Sequence, residues 1–123
     1  MPLEFGIDEQ DGFPVIMLEG SLLERHEADD LLEEVKELII EGNSRIIIEL
    51  SKLNYLNSSG LNILLNILTK VRNADGEAVI CGVNERLRTL LVITKLDAVF
   101  QIAKTCEEAS QRLTLLAQPP TQP

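Results

Sequence analysis

Two runs constrain this chain more than any other feature: Ile46-Ile47-Ile48 and Ala78-Val79-Ile80-Cys81. Each is apolar at consecutive positions. A strand with one wet face alternates apolar with polar side chains, so an unbroken run belongs to a strand covered on both faces. The segment between them has a different period. Leu61, Leu64, Leu65, Leu68 and Val71 fall at spacings of three and four, widened by Ile63 and Ile67, and so line one side of a helix. Two buried strands joined by a helix read as a right-handed crossover in a parallel sheet.

The flanking segments extend the same pattern. Phe5 and Ile7 alternate with charged residues, Asp11-Gly12 marks a hairpin turn, and Val15-Ile16-Met17-Leu18 forms a second strand. Pro14 suits the entrance to that strand. From about Glu24 the period becomes helical. Ala28, Leu31, Leu32, Val35, Leu38 and Ile39 form the inner stripe; Glu27, Asp29, Asp30, Glu33, Glu34 and Glu37 form an acidic outer face. Gly42-Asn43 stops this helix near residue 41. Asp75-Gly76 ends the next connection. Glu85 to about Thr94 is expected to be helical, Val99 to Ile102 a last short strand, and Glu107 to about Leu116 a final helix on Ala109, Leu113 and Leu116. The expectation is one α/β domain over residues 1–116, with a mostly parallel sheet, an N-terminal hairpin strand and about four helices. The tail 117–123, "AQPPTQP", is expected to be disordered. In sheets of this kind, sites gather in loops leaving the carboxyl ends of strands.

Composition narrows the function. The formal charge is −9, from 20 acidic and 11 basic residues. Phosphate contacts need clustered Lys and Arg, so nucleic acid is not expected as a partner, nor is an anionic membrane surface. The N-terminus "MPLEFGIDEQ" has neither a basic start nor an apolar run, and no apolar run approaches the roughly 20 residues that span a bilayer. Cys81 and Cys106 stand alone in the sequence, without metal-type spacing, and read as two free thiols in a reducing cytoplasm.

Catalytic constellations are lacking. The single histidine, His26, has no obvious serine or cysteine partner and reads as a surface residue. There is no HExxH, no Walker-type loop and no GxGxxG. Asp29-Asp30 and Glu33-Glu34 offer carboxylates to a hard cation, but a solvated helix face accounts for them. No metal and no cofactor is expected.

What stands out is Asn57-Ser58-Ser59-Gly60, a polar knot where the helix over Leu61–Val71 begins near Gly60. Asn57 or Ser58 could cap that helix by accepting a hydrogen bond from its orphan N–H groups. One serine could also present an exposed, modifiable hydroxyl. The two readings are compatible, since a cap lies at the surface end of a helix.

The segment "IIIELSKLNYLNSSGLNILL" resembles the signature of the STAS domain, in particular of bacterial anti-sigma-factor antagonists. Their pattern is an apolar strand, Asp-Leu, a few residues, then Asp-Ser-Ser/Thr-Gly-Leu opening a helix. The resemblance runs from about Leu3 to Leu116 and includes Gly20, "EAVICGV", "LRTLLVITKLDAVFQI" and the late "EEA". Asn57 stands where the pattern carries Asp, and Glu49 where many members carry Asp.

The resemblance implies a cytoplasmic switch protein without enzymatic activity. It would bind an anti-sigma factor, often itself a serine kinase, and so free a sigma factor. Ser58 matches the serine that the kinase phosphorylates, and a metal-dependent serine/threonine phosphatase would remove the phosphate. The expected partner-binding set is Ser21, Tyr55, Asn57, Ser58, Ser59 and Asn62. The alternative is a scaffold or ligand-binding STAS module in a bacterial signalling complex, with Ser58 purely structural.

Overall fold

The computed structural model describes residues 3–22 and 28–117. The expected helix start at Glu24, the acidic-face residue Glu27, His26 and residues 118–123 of the expected tail 117–123 lie outside the described residues, whereas Ala117 is the last residue of the final helix.

Five strands form one sheet in sequential order: β1 (Glu4–Gln10), β2 (Phe13–Leu22), β3 (Arg45–Leu56), β4 (Glu77–Cys81) and β5 (Gln101–Ala103). β1 pairs antiparallel with β2, and every other pairing is parallel. The β1–β2 turn uses Asp11 and Gly12, both at positive φ (52° and 89°), which matches the right-handed twist of the hairpin. The helices are α1 (Asp29–Ile40), α2 (Ser58–Asn73), α3 (Glu85–Ile93) and α4 (Cys106–Ala117).

Period-two alternation divides the core. Ile46 and Ile48 point to one face of β3, where they join Leu31, Val35 and Leu38 of α1, Leu64, Ile67 and Leu68 of α2, and Leu87 and Leu91 of α3. Ile47 points to the other face, with Val15, Val79, Cys81 and Ala103, under Ala109 and Leu113 of α4. The run Ile46–Ile48 is thus buried on both faces, as its lack of alternation requires.

Three boundaries differ from the sequence reading. β3 does not stop near Ile48 but runs to Leu56. Beyond Glu49 it has passed the end of β4 and pairs only with β2, across register shifts at Met17/Glu19 and Gly20/Ser21. Only one face there is covered, so the apolar run gives way to the mixed Ser51–Leu56. The last strand starts at Gln101 rather than Val99, because Leu96–Ala98 form a 3-10 turn that accepts the N–H groups of Val99 and Phe100 at the Leu96 carbonyl. Finally, α2 begins at Ser58, two residues before Gly60.

Candidate functional site: the amino end of α2

The overhanging end of β3 hands the chain directly to α2. Asn57 has extended backbone (φ −118°, ψ −171°), and its Oδ1 accepts the Gly60 N–H at 2.9 Å. Its carbonyl takes the N–H of Leu61 at 2.9 Å, the first intrahelical bond. Of the two candidate caps, Asn57 is therefore the cap. Ser58 is the first residue of the helix, and Asn57, Ser58 and Ser59 are all exposed. The remaining first-turn donors are the N–H groups of Ser58 and Ser59. The first turn contains no acidic side chain. A helix amino end of this kind favours an anion, through its dipole and its free donors.

Gly60 is buried, and its position explains why the knot ends in glycine. A Cβ there would collide with the carbonyl oxygen of Leu22 and press on the Leu56 side chain at 2.5 Å. The missing side chain lets α2 rest directly on the end of β2. The hydroxyl-bearing turn is thereby held against the two parallel strands at their carboxyl ends.

The other expected residues gather at this end. Tyr55 is 57% exposed, and Asn62 is exposed one turn into α2. Ser59 and Asn62 line a shallow depression with Leu32 of α1 and with Ile63 and Asn66. Tyr55 lies on the other side, beside Asn84, Arg86, Leu87 and Leu90. Ser21 sits beside Tyr55 in the β2–β3 register but is only 3% exposed, so its hydroxyl does not present itself to solvent. Leu32, expected only as part of the inner stripe of α1, borders the site, as do Asn66, Asn84 and Arg86, which the sequence reading does not single out. Of these, only Asn84 carries a local signal: it precedes a helical stripe and caps α3, accepting the Leu87 N–H at 2.8 Å.

A second cluster lies on the opposite face of the sheet. Cys81 and Cys106, isolated in sequence, approach to 3.2 Å between sulfurs, and Glu49 Oε2 lies 3.9 and 3.8 Å from them. The expectation that the cysteines stand alone is thus corrected, although both are free thiols. Burial pushes the Cys81 thiol far above its ordinary value, and Cys106 and Glu49 push it the same way; burial also raises Cys106. Among the described residues, the metal-ligating side chains that converge are these three, not the acidic face of α1. No helix among the described residues is long and apolar enough to cross a membrane.

Known proteins share this framework. A putative anti-sigma factor antagonist of Bordetella bronchiseptica, BtrV, is 26% identical over 108 residues, covering 88% of this chain and 92% of the relative. A putative anti-sigma factor antagonist of Thermotoga neapolitana is 31% identical over 77 residues, covering 63% of this chain and 68% of the relative. The crystal structure of a putative anti-sigma factor antagonist from Thermotoga maritima superposes with a TM-score of 0.77 at 24% identity, over 89% of this chain and 94% of that one. The model of the STAS domain matches residues 4–109, which takes in all five strands and the three helices packed on one side of the sheet, and the chain belongs to the STAS domain family.

Proposed function

We propose that this chain is an anti-sigma-factor antagonist, a cytoplasmic protein that acts by binding and not by catalysis. Its partner would be an anti-sigma factor with serine kinase activity, engaged through the surface around the amino end of α2. Phosphorylation of Ser58 would switch the contact off, and a serine/threonine phosphatase would restore it. The domain would span residues 1–116.

The observation that carries the reading is the exposed Ser58 hydroxyl at the first position of α2, beside a cap that carries no charge. The relatives named as anti-sigma factor antagonists support it. A phosphate on Ser58 adds about −1.5 to −2 charges at neutral pH. The helix dipole and the Ser58 and Ser59 N–H groups accommodate it, so the fold need not change. The effect falls on the surface. A dianion would occupy a contact shaped for a hydroxyl, and an uncompensated charge in an interface costs several kcal/mol.

The test is calorimetric titration of Ser58 and Ser59 variants against the anti-sigma factor. Ser58→Asp should bind at least about tenfold more weakly, a difference of about 1.4 kcal/mol or more, while keeping its thermal stability. Ser58→Ala should bind well and resist inactivation by the kinase, and Ser59→Ala should still accept phosphate. If Ser58→Asp binds like the unaltered protein and Ser58→Ala is phosphorylated at Ser59, Ser58 is only a structural residue and the switch reading fails.

A further inference from the structure

The α4 face of the sheet holds a group of side chains that the surface around Ser58 does not use. Glu49 and Cys81 are register partners on β3 and β4, so they project side by side from the same face. Cys106 is the first residue of α4, which packs over that face. The three ligand atoms, two sulfurs and Glu49 Oε2, form a triangle with sides of 3.2, 3.8 and 3.9 Å. The point equidistant from its corners lies about 2.1 Å from each, so an ion raised slightly out of that plane toward a fourth ligand stands about 2.2–2.3 Å from all three, close to zinc–oxygen and zinc–sulfur bond lengths.

The carboxylate is held in place for this arrangement. Its Oε1 accepts the Ser51 N–H, which leaves Oε2 directed at the thiols. Gly82 makes room for it: at φ +72° a Cβ there would stand 2.5 Å from Oε1. Cys81 is fully buried, whereas Glu49 and Cys106 are half-buried, so the cluster has a solvent side. Glu49 also borders a groove of about 410 Å³ with Met17, Glu19 and Ser51.

We propose that Glu49, Cys81 and Cys106 form a three-ligand site for a thiophilic divalent cation of the zinc class. Two sulfurs and one oxygen suit such an ion, and water from the solvent side completes a tetrahedron. Binding forms two metal–sulfur bonds and one metal–oxygen bond, and releases the two thiol protons to solvent. The ion would clamp the start of α4 to the two central strands. A disulfide fits the geometry less well. It requires sulfurs about 2.05 Å apart and gives the oriented carboxylate no role.

The test uses the full chain, reduced and stripped of metal, titrated with cobalt(II). The expected result is a thiolate-to-cobalt charge-transfer band that saturates at one cobalt per chain and is displaced by zinc. Zinc should also raise Tm. Cys106→Ser, at a half-buried position, should fold but lose both the band and the Tm rise. Glu49→Gln should keep the band and weaken cobalt binding by about tenfold or more, as loss of one ligand or its support does. The proposal is overturned if no band forms although both thiols react with a thiol reagent, or if the band survives in Cys106→Ser. Recovery of the pair as a disulfide in the presence of zinc also overturns it.

Discussion

The carbonyl oxygen of Leu22, at the end of β2, fills the space that a side chain on Gly60 would need. The amino end of α2 thus rests on backbone, and its approach is set by atoms that cannot rotate away. Gly60→Ala should force α2 outward, at the roughly 1–3 kcal/mol typical of overpacking. Urea denaturation would measure the loss. An unchanged midpoint would mean that this contact does not hold the site in place.

Asn57 caps α2 through its side-chain oxygen. Asn57→Ala should cost about 1 kcal/mol. Asn57→Asp should leave stability nearly unchanged, because Asp caps equally well and suits the helix dipole. Phosphorylation should separate the two: once Ser58 carries phosphate, Asn57→Asp places two like charges side by side. Thermal melts of both phosphorylated proteins should show the Asp variant as the less stable.

The inner stripe of α1 is buried at Leu31, Val35 and Leu38. Leu31→Ala should destabilise the fold by roughly 2–4 kcal/mol, and Leu38→Ala, at the margin of the core, by the lower end of that range. Substitution of the exposed Asp30 or Glu33 should change stability little. Equilibrium unfolding of the four variants would check the assignment of the helix face.

Ser110 of α4 donates to Asp11 Oδ2 at 2.6 Å, tying that helix to the β1–β2 turn. This bond holds the Asp11 carboxyl below its ordinary value, with Gln10 adding to the effect. A depressed carboxyl stabilises the fold above its unfolded pKa, and the contribution is lost as pH falls through the folded value. The stability gap between the unaltered protein and Ser110→Ala should therefore be constant near neutral pH and close under acid, below the usual aspartate range. A gap that widens on acidification would show that the bond does not favour the ionised carboxylate.

The sequence by itself determined the element order, the sheet class and the knot at Ser58. Ile46–Ile48 lacks alternation because both faces are covered, and Leu61–Val71 has a helical period because one side is. These signals are local, since each residue reports its own burial through the spacing of its neighbours. The tertiary structure decided what depends on pairing. The length of β3 follows from where β4 stops, which the mixed segment Ser51–Leu56 does not announce. Ser21 is buried although its register neighbour Tyr55 is exposed, a difference that packing around the strand ends decides. Glu49, Cys81 and Cys106 are 32 and 25 positions apart along the chain, a spacing without local meaning. They meet because parallel pairing sets Glu49 beside Cys81 and because α4 begins over that pair, and no periodicity records either fact.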